Sequence, residues 1–274
     1  MDVREQLIAL REEDWDVLIV LDACRADTFA ETCAVAEVVR AAGPCTPAWI
    51  RAAGPLLQER GAVYFSANPV VDREVRKCGL DLPAGRQAGI EMVPVWQSQW
   101  GRFTAHQIPS VHPLSVNGVV AAHVQMGRLE GRPLVVHYVQ PHSPYIGAVP
   151  LAFARWGGAG APAGGEFGEA CHKLRRPGRA VKRGEITWEQ LRAAYRANLE
   201  LVWHAARLLA SQLAPRRVIV TSDHGELLGE DGKFGHECGY TGYEELWRVP
   251  WLCLEGSRLE QETTGQKLEA LGYA

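Results

Sequence analysis

The chain of 274 residues carries 29 basic and 32 acidic side chains, which give a formal net charge of −3. This length suffices for one large α/β domain or two smaller ones, with a sizeable hydrophobic core. The charge balance argues against a basic nucleic-acid-binding protein, and no apolar run is long enough to span a bilayer.

Apolar runs alternate with helical patterns along the chain. This alternation is typical of a mostly parallel central sheet flanked by helices on both faces. A long helix is predicted after Thr187, which forms a capping box with Gln190. We predict a single α/β domain over residues 1–274, with strands at residues 17–21, 62–65, 134–139, 217–220 and 250–254.

Residues 146–183 interrupt this alternation. The segment is rich in glycine and basic side chains and has weak periodicity. Structureless connections of this length are uncommon in compact domains unless they are functional or disordered. We therefore predict a lid or an excursion over one edge of the sheet.

Two features predict a cytoplasmic protein. The N-terminal stretch MDVREQLIALREEDWD is too rich in charge for a secretory signal peptide. Seven cysteines without a CxxC pair argue against a disulfide framework, so we expect free thiols in a reducing compartment. They are Cys24, Cys33, Cys45, Cys78, Cys171, Cys238 and Cys253.

Metal-capable side chains follow three of the predicted strands. The first strand ends in Asp22, the fourth is followed by Asp223 and His224, and the third leads to His142. In open α/β sheets, ligands bind outside the carboxyl ends of the strands. Two carboxylates and an imidazole suit Zn²⁺ or Mn²⁺, and the histidine favours Zn²⁺. We predict one metal site, and a second if His142 or His236 joins it.

Several motifs together resemble the sulfatase-like branch of the alkaline phosphatase superfamily. They are VLIVLDACRAD near the N-terminus, VTSDHGELLGEDGKFGHE, YEELWRVPWLCL and the terminal KLEALGY. The resemblance implies an alkaline-phosphatase-like fold and a metal-dependent hydrolase or transferase of phosphate or sulfate esters. It also implies a side-chain nucleophile that forms a covalent intermediate.

The same family places this nucleophile in the segment AAGPCTPAWIRAAG, at the start of a helix, and two adjacent residues qualify. Cys45 heads CTPAW, which resembles the sulfatase signature Cys-x-Pro-x-Arg, but Trp49 stands where that signature has arginine. Thr46 would serve as an unmodified phosphate-transferring nucleophile. We favour Thr46, since the departure at Trp49 argues against conversion of Cys45 to formylglycine.

Three further residues are candidates for the site. The resemblance implies that His142 contacts the phosphoryl or sulfuryl group, and that His236 completes a second metal site or protonates the leaving group. Arg25 would orient Asp22 or bind a substrate oxygen. His137, within the third predicted strand, is assigned to the core.

These residues predict a metal-dependent enzyme that acts on phosphate mono- or diesters through a phosphothreonine. The expected partner is a small phosphorylated or sulfated substrate. A sulfatase that uses modified Cys45, and a catalytically silent member that binds a phosphorylated ligand or partner protein, are the alternatives. The sequence leaves the substrate and the oligomeric state open.

Overall fold

The structure is a computed structural model that describes residues 3–83, 89–99, 110–129, 131–151 and 177–254. Its strands are β1 (Arg4–Glu5), β2 (Val17–Asp22), β3 (Glu37–Arg40), β4 (Val63–Ser66), β5 (Glu91–Pro94), β6 (Leu134–Pro141), β7 (Val218–Thr221), β8 (Leu227–Leu228), β9 (Phe234–Gly235) and β10 (Arg248–Leu254). Its α-helices are α1 (Gln6–Glu12), α2 (Ala26–Thr32), α3 (Thr46–Glu59), α4 (Pro69–Lys77), α5 (Val95–Gln99), α6 (Pro113–Gln125), α7 (Pro177–Lys182) and α8 (Trp188–Gln212).

Eight of these strands form the central sheet, in the order β1-β3-β10-β7-β2-β6-β4-β5. Strand β10 runs antiparallel to both of its neighbours, β3 and β7. The other pairs in this sheet are parallel. The predicted fold class, a mostly parallel sheet, is confirmed.

Helices cover both faces of the sheet because the central strands are apolar on both sides. All six residues of β2 are buried. Val17, Ile19 and Leu21 join one hydrophobic cluster, whereas Leu18 and Val20 join another. Residues of α2, α6 and α8 belong to the first cluster, and residues of α1, α3 and α4 belong to the second. Each fully buried aliphatic side chain of this kind stabilises the fold by about 1.5–3 kcal/mol.

Each of the five predicted strands overlaps an observed one: β2, β4, β6, β7 and β10. Of the predicted lid over residues 146–183, the structure describes only residues 146–151 and 177–183; the remainder lies outside the described residues. The terminal KLEALGY motif also lies outside them. Among the helices that are described, none is both long and apolar enough to cross a membrane.

Helix α8 begins with the predicted capping box. The Thr187 hydroxyl accepts a hydrogen bond from the Gln190 N–H at 3.1 Å, and the Gln190 side chain accepts one from the Thr187 N–H at 2.8 Å. The helix then buries one side against the sheet, with Leu199, Val202 and Leu209 in the core. The two hydrogen bonds of the capping box satisfy two N–H groups at the start of the helix that would otherwise be unpaired.

We expect Thr187→Ala to lower the free energy of unfolding by about 1 kcal/mol, because it removes one half of the capping box. Urea unfolding monitored by circular dichroism measures this loss. Ser211→Ala, at an exposed position near the other end of the same helix, is the control and should change stability by no more than about 0.5 kcal/mol. Equal losses in both variants would contradict the assigned cap.

Candidate active site

The predicted metal ligands meet at the carboxyl ends of two neighbouring strands. Asp22 is the last residue of β2, while Asp223 and His224 follow β7. Strands β2 and β7 pair in parallel, so residues distant in sequence end at the same edge. All three side chains are buried, with a relative exposure of 1% or less.

Their ligand atoms are close enough to share one cation. His224 Nε2 lies 3.3 Å from Asp223 Oδ2 and 3.8 Å from Asp22 Oδ1. One ligand atom from each of the three residues lies within 4.8 Å of the others. Asp22 Oδ1 is buried and has no hydrogen-bond partner among the described residues. A cation would satisfy this buried acceptor, so the donor set fits a metal ion.

Main-chain contacts orient Asp223 and His224 toward this centre. The N–H groups of Ala23 and His224 donate to Asp223 Oδ1 at 3.1 and 3.0 Å, which leaves Oδ2 facing the site. His224 Nδ1 lies 2.8 Å from the carbonyl oxygen of Gly225, so Nε2 points inward. Gly225 is required here because a Cβ would lie 1.8 Å from the carbonyl oxygen of Glu245.

The pKa shifts of these three residues show the electrostatic consequence of burying them together without a cation. Burial, and then the charge of Asp223, raise the pKa of Asp22 well above its ordinary value. Burial would also raise the pKa of Asp223, but the charge and hydrogen bond of His224 lower it below the ordinary value. Burial opposes protonation of His224, yet interactions with Asp223 raise its pKa to about 9. Without a cation, therefore, the two acids compete for a single positive partner.

Thr46, the first residue of α3, joins this centre. Its Oγ1 lies 2.8 Å from Asp223 Oδ2 and 3.2 Å from His224 Nε2. The turn before the helix is tight, since a Cβ on Gly43 would lie 2.6 Å from the Trp49 nitrogen. The hydroxyl thus stands beside the candidate ligands at a helix N-terminus, where unpaired N–H groups favour an anion.

Cys45 is not a free thiol. This corrects the expectation that all the cysteines are free and the expectation that Cys45 could be the nucleophile. Cys45 forms a disulfide with Cys238, and the two Cα atoms are 5.3 Å apart. Its sulfur is therefore unavailable as a nucleophile or for oxidation to formylglycine, so the sulfatase alternative is wrong for this form of the chain. Free cysteines among the described residues are Cys24, Cys33, Cys78 and Cys253; Cys171 lies outside them.

Trp49, which stands where the sulfatase signature has arginine, has a structural role. Its side chain is fully buried in the core, and its indole N–H donates to Gln6 Oε1 at 2.8 Å. Gln6 in turn donates to Thr221 Oγ1 at 2.9 Å and to the Ser222 carbonyl oxygen at 2.7 Å. The tryptophan therefore ties α3 to the end of β7, and does not present a charge to the site.

A second group of metal-capable side chains adjoins the first. His236 Nδ1 lies 2.9 Å from Glu226 Oε1, and His142 completes a group whose ligand atoms lie within 4.8 Å of one another. The rings of His224 and His236 are 4.1 Å apart between centroids, so the two groups are contiguous. Glu226 is fully buried and its Oε2 has no hydrogen-bond partner among the described residues.

A hairpin and a helix bring this second group together. Strands β8 and β9 pair, with Leu227 opposite Gly235, and this pairing returns His236 to Glu226. On the other side, the Asn198 amide of α8 donates to carbonyl oxygens of the His142 loop, including that of His142 at 3.1 Å. Glu226 lies within the motif VTSDHGELLGEDGKFGHE but was not among the predicted site residues.

The pKa values of Glu226 and His142 are both lowered, but for different reasons. Burial would raise the pKa of Glu226, but His236 and its hydrogen bond lower it below the ordinary value. Burial lowers the pKa of His142 to about 4, against the charge of Glu226. At neutral pH, Glu226 is therefore an anion and the His142 imidazole is neutral, a state in which both can bind a cation.

His137, which the sequence analysis assigned to the core, lies against the first centre. Its Nε2 is 3.7 Å from both Asp22 Oδ2 and Asp223 Oδ2, and its Nδ1 is 2.7 Å from the Tyr64 hydroxyl. Burial raises the pKa of Tyr64 and lowers that of His137 to about 4, so the tyrosine donates and Nε2–H faces the carboxylates. The strand register pairs His137 with Val20, on the face of β2 that leads to Asp22.

Arg25 makes no hydrogen bond or ion pair with Asp22 among the described residues, which corrects the expectation that it orients Asp22; its Nη1 donates to the main-chain oxygen of Glu226 at 3.3 Å. Its guanidinium pairs with Asp27 at 2.5 Å and with Glu230 at 2.6 Å. The group that does contact Asp22 is the Asn68 amide, which donates to Oδ2 at 2.5 Å. Asn68 lies two positions after the last residue of β4. This place at the carboxyl end of a strand was the signal that could have identified it.

The chain is similar in fold to solved structures of other proteins. No protein-family model matches the sequence, and no curated protein sequence matches it either. The integral membrane protein lipooligosaccharide phosphoethanolamine transferase A (EptA) from Neisseria meningitidis aligns at a TM-score of 0.55 and 13% identity, over 90% of this chain and 49% of that chain. The soluble domain of lipooligosaccharide phosphoethanolamine transferase A from Neisseria meningitidis aligns at 0.51 and 12% identity, over 88% and 76%.

These matches show the fold of the chain. The chain has the alkaline-phosphatase-like α/β fold that the sequence resemblance implied. It spans about half the length of the integral membrane protein it matches. At this level of identity the likeness concerns the fold, and the chemistry must be argued from the site itself.

We expect Asp22→Asn to stabilise the metal-free protein at neutral pH. A carboxyl group whose pKa is raised on folding costs stability as the pH rises above its ordinary value of about 3.9, and asparagine removes that cost. The melting temperature in EDTA should therefore exceed that of the wild type by a margin that grows as the pH rises above about 4. Added Zn²⁺ should stabilise the wild type, by about 2.7 kcal/mol at a hundredfold excess over Kd, and not the variant. A variant that melts lower throughout this range would count against the assigned repulsion.

We expect Cys238→Ser to lower the free energy of unfolding by about 2–4 kcal/mol, because it releases the cross-link to Cys45. Urea unfolding without reductant measures the change. Cys78→Ser, at an exposed free cysteine, is the matched control and should have little effect. If reductant destabilises the wild type no more than it destabilises Cys238→Ser, the disulfide does not form in solution.

Proposed function

We propose that the chain is a metal-dependent transferase or hydrolase of phosphate esters that uses Thr46 as its nucleophile. The observation that carries the proposal is the position of Thr46 Oγ1, 2.8 Å from Asp223 and 3.2 Å from His224. A threonine at this place has an acceptor for its proton and a helix N-terminus for an anionic substrate. The second group of side chains adjoins this centre, with the His224 and His236 rings 4.1 Å apart between centroids, and in this proposal it faces the leaving group.

Asp22, Asp223 and His224, with Thr46, would hold the metal of the first centre. Zn²⁺ is favoured because the set mixes carboxylate and imidazole, and Mn²⁺ is the alternative. When bound, such an ion lowers the pKa of a hydroxyl group and shields the charge of a phosphate. A second ion would have His142, Glu226 and His236 as ligands.

The residues of the chain account for each bond change. Thr46 Oγ1 gives up its proton to the Asp223 carboxylate and forms a bond to phosphorus, and the bond from phosphorus to the leaving oxygen breaks. His236, held by Glu226, donates a proton to that oxygen. Water or a second alcohol then attacks the phosphothreonine and loses its proton to His236, the bond from phosphorus to Thr46 Oγ1 breaks, and Thr46 takes back its proton from Asp223. Hydrolysis and transfer differ only in this acceptor.

The names of the fold neighbours make transfer, rather than hydrolysis, the reaction to test first. Both are named phosphoethanolamine transferases, so a phosphoethanolamine ester is a sensible first donor. Inorganic phosphate released in water, against a phosphorylated alcohol formed with an added acceptor, distinguishes the two reactions by ³¹P NMR.

The disulfide bears on the compartment in which this reaction would occur. Structural disulfides persist in oxidising environments and are rare in the cytosol. The Cys45–Cys238 bond joins the residue before the nucleophile to the loop that carries His236. We therefore propose an oxidising, extracytoplasmic location in place of the cytoplasmic one that the sequence suggested.

We expect Thr46→Ala to lower phosphoester turnover by about a thousandfold or more while its metal content stays that of the wild type. Turnover of aryl phosphate mono- and diesters and elemental analysis are the measurements, and intact mass spectrometry should detect a phosphorylated intermediate in the wild type alone. Thr241→Ala, at an exposed position, is the control. Retained turnover in Thr46→Ala would remove the nucleophile assignment, and a metal-loaded wild type without turnover would favour the silent, ligand-binding alternative.

A further inference from the structure

A basic cleft lies at the edge of the sheet opposite the candidate active site. Its volume is about 610 Å³, and its lining includes Arg60, Arg132, Arg216 and Arg217. Arg132 closely precedes β6, and Arg216 and Arg217 immediately precede β7. The cleft therefore opens at the amino ends of strands whose carboxyl ends carry the candidate ligands. Nothing in the proposed reaction uses it.

Two of these guanidinium groups, those of Arg60 and Arg216, have no carboxylate partner within 4 Å among the described residues. Arg132 pairs with Glu91, and Arg217 approaches Glu13 at 3.9 Å. By contrast, Arg60 donates to the main-chain oxygens of Glu13 and Trp15 at 3.2 and 3.5 Å.

Arg216 is the second such group, and it also has an unused donor inside the protein. Its Nη2 donates to the carbonyl oxygen of Leu129 at 3.3 Å. Its Nη1 is buried and has no hydrogen-bond partner in the described part of the chain. A buried unsatisfied donor costs about 1–3 kcal/mol, and more when it is charged. An acceptor in the cleft would remove this cost.

Acidic and aromatic side chains also line the cleft. Asp14 and Asp16 are the acidic residues of the lining, against four arginines. Asp16 already accepts the Arg217 main-chain N–H at 2.8 Å. Arg60 is held in place by stacking on Trp15, 4.4 Å from the ring centroid. The free charge is therefore fixed in position before any ligand arrives.

We propose that this cleft binds a phosphate group, as free phosphate or a soluble phosphate ester, or as the headgroup of an anionic lipid. Guanidinium groups match phosphate oxygens by paired hydrogen bonds, and the two groups without a carboxylate partner, Arg60 and Arg216, would supply the positive charge for it. The volume suits a small ligand and not a nucleic-acid strand.

This site is separate from the catalytic centre. Helix α3 runs from Thr46 to Glu59, so Arg60 stands one helix length, about 21 Å, from the nucleophile. Binding at the cleft should therefore survive loss of the metal centre. That separation also lets the proposal fail or succeed independently of the proposed function.

The test is calorimetric titration of inorganic phosphate at constant ionic strength. Wild type and Asp223→Ala should each show a saturable site outside the metal centre. Arg60→Gln/Arg216→Gln should weaken it at least tenfold, whereas Arg11→Gln/Arg248→Gln, which removes equal charge from two exposed positions, should not. Perturbed arginine Nε–H signals in NMR spectra, assigned with the single variants, would locate the site. Unfolding curves of the double variants check that each is folded.

A vesicle arm distinguishes the two sources of phosphate. Flotation with phosphatidic acid vesicles, against phosphatidylcholine alone, is measured for the same variants. Saturation by free phosphate supports a soluble ligand; binding to phosphatidic acid alone, lost in Arg60→Gln/Arg216→Gln, supports a lipid headgroup. Absence of both, or equal weakening in the Arg11/Arg248 control, overturns the proposal.

Discussion

The structure of the site depends on one costly arrangement, the burial of the Asp22 and Asp223 carboxylates in the same space. Two such anions cannot both be stable in a dry interior unless cations or donors surround them. The protein supplies main-chain N–H groups, the Asn68 amide and the imidazole of His224, whereas His137 Nε2, 3.7 Å away, makes no hydrogen bond within the described part of the chain. One acceptor, Asp22 Oδ1, is left over, and this remainder gives the metal proposal its physical basis.

The two halves of the site are held in different ways. The first is built on the ends of central strands and on the start of α3, so its geometry follows from the sheet itself. The second depends on connections: the β8–β9 hairpin, the Asn198 contacts and the Cys45–Cys238 bond. Candidate ligands fixed by the sheet beside a cross-linked loop would suit the proposed reaction, in which the nucleophile is fixed and the proton donor must meet different leaving groups.

Much of this arrangement could be predicted from the sequence, because it follows from local rules. Apolar runs predicted the central strands, and the strand-end rule predicted that Asp22, Asp223 and His224 meet. The disulfide could not be predicted, since two cysteines 193 residues apart share no local pattern. Arg25 was misjudged because its nearest acid in sequence, Asp27, and a distant one, Glu230, both engage it. His137 needed the register of β6 against β2 before its direction was known.

The place of β10 in the sheet has a consequence for how the chain acquires its active site. This strand lies between β3 and β7, so within the sheet β1 and β3 are joined to the remaining strands only through it. Helix α3, with Thr46, follows directly from β3. A ribosome that has not yet released residues 248–254 therefore holds a chain in which the sheet does not link the nucleophile's strand to the ligands. Such long-range pairing slows folding, and here the strand that leads to the nucleophile can join the ligand-bearing strands within the sheet only after residues 248–254 have been synthesised.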